Sequence, residues 1–155
     1  MRTFVGVAAA GAMLLAGCAA PGSSQSSVQS VAMDHPLPIP AEVSGRRMEL
    51  TARQGTTDFG QGAPAATIGL NGSYLGPTIR LTRGQRVRVD VRNELSEMTT
   101  LHWHGMHVPA RMDGGPHSMI MPGTTWRPHW RVDQPAATLW YHSHPHGQTA
   151  QQVYR

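Results

Sequence analysis

Residues 86–92 read Arg-Val-Arg-Val-Asp-Val-Arg, the most regular alternation of apolar and charged residues in the 155-residue chain. On an extended strand, successive side chains point to opposite faces of the sheet, so the three valines share one face and the charged residues share the other. The segment therefore predicts a β-strand with one buried face and one face in water. Such a strand needs partners from the rest of the chain.

Further short segments on both sides of this strand have β character and are bounded by Pro, Gly or Asp. The Asn71-Gly72 dipeptide after one of them is a strong hairpin-turn signal. With 17 Gly, 12 Pro and only 14% charged residues, the composition disfavours a helical bundle. We predict one all-β sandwich or barrel, with no internal repeat and no second domain. The predicted strands span residues 47–53, 67–70, 78–81, 86–92, 98–104, 124–132 and 138–142.

The charged and metal-binding residue types narrow the function classes. The formal net charge of +4 comes from scattered arginines without a basic run, so nucleic acid is not predicted as a partner. Nine His and nine Met stand against a single Cys. These counts favour metal chemistry and exclude a disulfide framework or a cysteine-based zinc site.

The first 18 residues predict an export signal. One positive charge precedes the apolar run of residues 4–15, which is too short to span a membrane. The ending Leu15-Ala-Gly-Cys18 resembles a bacterial lipobox, in which Cys18 becomes a lipid-modified membrane anchor. The alternative is an ordinary signal peptide that contains a cysteine. Both place the mature protein outside the cytoplasm, in the periplasm or at the cell surface.

The mature chain divides into a tether and one domain. Residues 19–34 are rich in Ser, Gln and Ala and predict a flexible tether. The domain is expected to span residues 35–155, and it begins with an extended proline-rich segment. A sandwich normally needs a closing strand after the last histidine segment, and no strand-like segment follows before Arg155. We therefore expect the domain to be incomplete at its C-terminal edge.

Two histidine pairs carry the chemistry. His102 and His104, like His142 and His144, are two residues apart, so each pair points to one side of an extended strand. Two such strands side by side would surround a metal with four imidazole nitrogens. A ligand set without carboxylate or thiolate favours copper or zinc over hard ions. The alternative, buried histidines that only satisfy hydrogen bonds, usually involves single residues.

Four motifs follow one another between residues 102 and 144. They are His102-Trp-His-Gly105, Met112-Asp-Gly-Gly-Pro116, Asp133-Gln-Pro-Ala-Ala-Thr138 and Trp140-Tyr-His-Ser-His144. Together they resemble the first cupredoxin domain of the multicopper oxidases, with bacterial copper-efflux and laccase-like oxidases as the nearest likeness. The resemblance covers about residues 35–153, nearly all of the predicted domain.

The resemblance implies a Greek-key cupredoxin-like β-sandwich and a role for each paired histidine. His102 would be a ligand of type 2 copper, and His104, His142 and His144 would be ligands of the type 3 pair. The chain would thus supply half of the ligands of a trinuclear copper cluster. The whole enzyme would couple one-electron oxidation of Cu(I), other metal ions or phenols to reduction of dioxygen to water. His107 and His146 are expected outside the copper ligand set.

In the family, the remaining cluster ligands and a type 1 copper site lie in a C-terminal domain. A type 1 site needs a cysteine with two histidines, and the one cysteine here lies in the leader. We therefore expect the chain alone to be inactive and to be an N-terminal fragment of an oxidase. One alternative is a standalone copper-binding lipoprotein. Another is a non-enzymatic relative with a structural or division-related role, which would have lost copper ligands.

The segment between residues 106 and 121 is rich in methionine. His117-Ser-Met-Ile-Met121 mixes thioether and imidazole groups, and thioethers prefer cuprous copper, so a transient Cu(I) site is one interpretation. The interpretation we favour here is that methionines fill irregular gaps or coat loops. The four methionines are Met106, Met112, Met119 and Met121.

Overall fold

The computed structural model describes residues 37–60 and 62–155. The predicted leader, Cys18 and the tether lie outside the described residues, so these features stay predictions. In the described part of the chain, no helix is long and apolar enough to cross a membrane. The described residues form nine strands, a 3₁₀ turn (Ala110–Met112) and one short α-helix. The strands and the α-helix are β1 (Glu42–Ser44), β2 (Arg47–Thr57), β3 (Ala65–Leu70), β4 (Thr78–Arg80), β5 (Arg86–Asn93), β6 (His102–His104), β7 (Thr125–Trp126), β8 (His129–Arg131), β9 (Trp140–His142) and α1 (Thr149–Val153).

The alternating segment forms β5, the centre of a five-stranded sheet. β5 is parallel to its partner β2 and antiparallel to its partners β7 and β8. β3 pairs with the other edge of β2. Its three valines are buried, as the alternation predicts. Asp90 is the exception on the charged face: it is buried and bonds Arg47 and Arg88 at 2.7 and 2.6 Å. The hydrogen bond from Arg88 holds the pKa of Asp90 below its ordinary value, against the effect of burial.

Two smaller sheets face the five-stranded sheet. β1 pairs with β4 in parallel, and β6 pairs with β9 in antiparallel. Trp103 of β6 points into the core, where its ring lies 5.3 Å from that of Trp130 and 5.9 Å from that of Tyr141. The all-β class is confirmed. The core is built from buried residues of both layers: Met48, Leu50, Val87, Val89, Val91, Leu101, Trp103, Ile120, Trp130 and Val132.

Several local expectations are wrong in detail. The predicted strands over residues 98–104 and 138–142 are shortened to β6 and β9. The predicted strand over residues 124–132 is divided into β7 and β8, because Pro128 between them has no N–H for a ladder hydrogen bond. Asn71 does turn the chain, with φ of +63°, but β3 and β4 do not form a hairpin. The Asn71 side chain bonds the backbone of Glu49 and Thr51, which ties this turn to β2 instead.

Helix α1 was not predicted, since five residues are too few for a helical periodicity. Its buried Gln152 accepts a hydrogen bond from the Thr99 hydroxyl at 2.8 Å and donates one to the Met98 carbonyl at 2.9 Å. These bonds fix α1 beside the chain that enters β6.

A large apolar cavity of about 900 Å³ lies between the sheets. Its walls include residues of β4 and β9, which belong to different small sheets. Apolar residues in the lining include Ile68, Leu70, Ile79, Leu81, Val89 and Leu101.

Candidate metal centre

The pairing of β6 with β9 brings the predicted histidines together. His102 lies opposite His142 in the antiparallel register, and His104 lies opposite Trp140. The ligand nitrogens of His102, His104 and His142 all lie within 4.8 Å of one another. The centroid of the His144 ring is 5.5 Å from that of His102 and 5.6 Å from that of His142, close to the 5.4 Å between the ring centroids of the other three histidines. We call His102, His104, His142 and His144 the four-histidine group.

The distance between two nitrogens of the group matches the distance expected between two ligands of one metal ion. Nδ1 of His104 lies 3.2 Å from Nε2 of His142. Two nitrogens bound to one ion at about 2.0–2.1 Å with tetrahedral angles would be about 3.3 Å apart. The donor set is all imidazole, which suits copper or zinc and not the hard ions that prefer oxygen. The residues present therefore fit a copper site.

The surroundings of His142 favour its neutral form. Burial lowers the pKa of His142, and the other three histidines lower it further. The hydrogen bond to the Ser143 carbonyl acts in the opposite direction but is outweighed. Because metals bind the neutral form of imidazole, the lowered pKa keeps His142 ready to bind an ion.

His102 is oriented by the loop that follows β6. Its Nδ1 lies 3.0 Å from the Asp113 carbonyl and 3.3 Å from the Asp113 carboxylate, so Nε2 is left for an ion. The same carbonyl accepts a hydrogen bond from the Trp103 N–H at 3.2 Å. Gly114 allows this close approach, because it has φ of +73° and a Cβ there would clash with the Leu101 carbonyl.

His144 is positioned through its backbone. Its N–H donates to the Thr100 hydroxyl at 2.7 Å, which ties the loop after β9 to the chain before β6. Its Nδ1 is buried and has no hydrogen-bond partner among the described residues. A buried polar atom without a partner is costly, and a metal ion would satisfy it.

Aromatic side chains lie on both faces of β9, and one of them contacts the four-histidine group. Trp140 is half exposed and stacks on His104 and His142, with centroids 4.7 and 4.3 Å away. Tyr141 points the other way and donates to the Pro77 carbonyl at 2.5 Å. Burial raises the pKa of Tyr141 to about 12, so the phenol stays a neutral donor.

The remaining described histidines stay outside the group: His107, His117, His129 and His146 are all exposed. Sequence reasoning did not assign roles to Asp113, Gly114 or Thr100. The Asp-Gly-Gly turn within the second quoted motif was the available signal for the first two. Nothing in the sequence points to Thr100, whose role depends on the tertiary contact with His144.

Comparison with known proteins places this arrangement in a family. A profile described as multicopper oxidase matches residues 51–154. The chain is 47% identical over 105 residues to the multicopper oxidase mco of Staphylococcus aureus. The aligned region covers 68% of this chain and 24% of the relative. The chain is 40% identical over 122 residues to the cell division protein FtsP of Escherichia coli, covering 77% of this chain and 26% of that protein.

Solved structures agree with these relatives. The laccase-like multicopper oxidase CueO of Ochrobactrum sp. superimposes with a TM-score of 0.74 and 44% identity, over 77% of this chain and 28% of that one. A laccase from Pediococcus acidilactici gives a TM-score of 0.72 and 42% identity, over 77% and 28%. The fold is thus the cupredoxin-like sandwich expected from the resemblance. The chain spans about a quarter of the length of the curated relatives it matches. It belongs to the multicopper oxidase family.

Proposed function

We propose that this chain is the copper-binding N-terminal domain of an extracytoplasmic multicopper oxidase. The whole protein would oxidise Cu(I), other metal ions or phenols by one electron at a time and reduce dioxygen to water. The observation that carries the proposal is the convergence of four imidazoles from two paired strands, β6 and β9, in a member of this family.

Each histidine of the group has a proposed role. His102 binds type 2 copper, while His104, His142 and His144 bind the type 3 pair. The 3.2 Å spacing of the His104 and His142 nitrogens supports a shared ion for these two. The buried, partnerless Nδ1 of His144 supports its assignment as a ligand. When bound, several closely spaced coppers supply the four electrons that reduce dioxygen without release of partly reduced oxygen.

This chain's own residues hold that site in shape. Asp113 orients His102, Thr100 fixes the backbone of His144, and Trp140 covers the His104 and His142 rings on one side. The lowered pKa of His142 keeps its ring neutral. The residues that bind the ions are therefore preorganised by their neighbours.

We propose that further domains of the oxidase supply the other cluster ligands and the type 1 copper site. The relatives are about four times as long as the matched region, which leaves room for those domains. The 900 Å³ apolar cavity gives independent support, because β4 and β9 line it and no described strand joins them. A strand from the rest of the oxidase would fill the cavity and join the two small sheets.

Dioxygen consumption with Cu(I) or a phenol as donor tests the proposal. The copper-loaded chain alone should show no turnover, whereas the chain joined to the downstream coding sequence of its own gene should consume dioxygen. Replacing His104 and His142 by Ala in the joined protein should abolish this activity. Substantial dioxygen reduction by the chain alone would contradict the half-cluster assignment.

Two other functions remain open to the same test. A standalone copper-binding lipoprotein would bind copper but gain no activity from downstream sequence, and that sequence would encode no His-Cys-His motif. The likeness to FtsP favours a second candidate, a role in cell division without oxidase chemistry. The presence of all four histidines favours the oxidase over this candidate, since a non-enzymatic relative has no need to keep them.

A further inference from the structure

The methionines of the 106–121 segment fall into two classes. Met106 and Met112 are half-buried, and Met106 packs against the core. Met119 and Met121 are 55% and 53% exposed. Methionine is among the residues most often buried, so gap filling does not account for two exposed methionines side by side.

The backbone between these two thioethers is fixed by a paired residue. Between them, Ile120 is buried and exchanges both backbone hydrogen bonds with Thr99, at 2.8 and 3.1 Å. The chain is therefore paired with Thr99 at Ile120, whose side chain is buried, while the flanking Met119 and Met121 side chains are exposed to solvent.

The segment is anchored at both ends. The buried Asn93 side chain donates to the Ile120 carbonyl at 2.8 Å, and the Thr124 N–H and hydroxyl both bond the Met121 carbonyl. On the other side, the Ser118 N–H bonds the Gly115 carbonyl at 2.9 Å in a turn that presents the exposed His117. The backbone that carries the three side chains is thus preorganised.

We propose that Met119 and Met121, with His117, form a Cu(I)-binding site separate from the four-histidine group. Alternate residues of a strand are about 6.6 Å apart, and a methionine side chain has three rotatable bonds, so two sulfurs can meet on one ion. Thioether sulfur selects Cu(I), and imidazole completes the donor set. The proposal is independent of oxidase activity, because it needs only binding by this chain.

Anaerobic Cu(I) competition with bicinchoninate tests the site. The full chain carrying His104→Ala and His142→Ala serves as the parent, so that the histidine group does not compete for the ion. Adding Met119→Leu and Met121→Leu should weaken Cu(I) binding by about tenfold or more, a loss typical of disrupting a metal site. Adding His117→Ala to the same parent should also weaken it.

The matched control is Met106→Leu with Met112→Leu in the same parent, which removes two thioethers from the same segment. This control should keep the Cu(I) affinity of the parent. Sulfur scattering in the copper X-ray absorption spectrum of the parent should disappear in the Met119→Leu, Met121→Leu variant. Unchanged affinity in that variant, or an equal loss in the control, would overturn the site. Because neither result involves dioxygen, failure here is distinguishable from failure of the oxidase proposal.

Discussion

At the scale of single residues, the shape of the four-histidine group depends on neighbours outside the group. Asp113 holds His102 through its backbone carbonyl as well as its carboxylate, and it can do so because Gly114 lies directly against the Leu101 carbonyl. The left-handed φ and the absence of a side chain are both required at that position. Gly114 is therefore the residue whose replacement should disturb the site most without touching a ligand.

We expect Gly114→Ala to lower the free energy of unfolding by roughly 3 kcal/mol, the upper end for strained backbone, because a backbone clash adds to the left-handed φ. Urea unfolding followed by tryptophan fluorescence measures this. Gly123→Ala is the matched control, since Gly123 has nearly the same φ, +74°, but nothing within 4 Å of its Cβ position. In the control, only the unfavourable φ destabilises the protein, so the free energy of unfolding should fall by about 1 kcal/mol. Equal losses in the two variants would contradict the close-packing role of Gly114.

The four histidines could be identified from the sequence, whereas the residues that hold them in position could not. The i, i+2 spacing states directly that His102 and His104 share one side of a strand. The contact between Thr100 and His144 joins residues 44 positions apart, and no local pattern encodes it. The same holds for Gln152, which fixes a helix too short to be predicted.

At the scale of elements, strand pairing brings together arginines that are far apart in the sequence. Arg47 and Arg88 are neighbours across β2 and β5, and Arg86 lies directly opposite Arg131 across β5 and β8. Asp90 compensates the first pair, but among the described residues no carboxylate lies within 4 Å of Arg86 or Arg131. Like charges directly opposite in a sheet destabilise it.

Replacing Arg131 by Glu should therefore stabilise the fold by roughly 0.2–1 kcal/mol, because it converts a repulsive cross-strand pair into an attractive one. The gain should appear in urea unfolding at low salt and shrink at about 1 M salt, where charges are screened. Arg111→Glu, an exposed change of the same charge outside the sheet, should give no such gain. A loss of stability in Arg131→Glu at low salt would contradict the pairing.

The strand predicted best from the sequence was the one with the most regular alternation of apolar and charged residues. β5 follows its sequence pattern closely, because the strands on its two sides, β2 on one and β7 and β8 on the other, leave its valines on the buried face. β7 and β8 were predicted as one strand, because the effect of Pro128 on pairing depends on which edge its missing N–H would face. The Asn71 turn was predicted correctly as a turn, but its side-chain bonds to β2 decided where the chain went next.

At the scale of the whole molecule, the two layers contribute differently: one provides most of the core, and the other carries the four-histidine group. The five-stranded sheet provides most of the buried core, while the two-stranded β6–β9 sheet carries all four histidines on or just beyond its strands. Trp103 joins the layers, since it lies between His102 and His104 on β6 and packs on Trp130. The sequence predicted the layered β architecture, whereas the cavity between the layers follows only from the tertiary arrangement.

We propose that the paired histidines of β6 and β9 bind copper together. Equilibrium dialysis of the purified chain against Cu(II) measures this binding, with His104→Ala, His142→Ala as the variant and His129→Ala, His146→Ala as the control. We expect the variant to lose about tenfold or more in copper affinity while the control binds like the unmodified chain. Copper binding by the variant equal to that of the unmodified chain would contradict it.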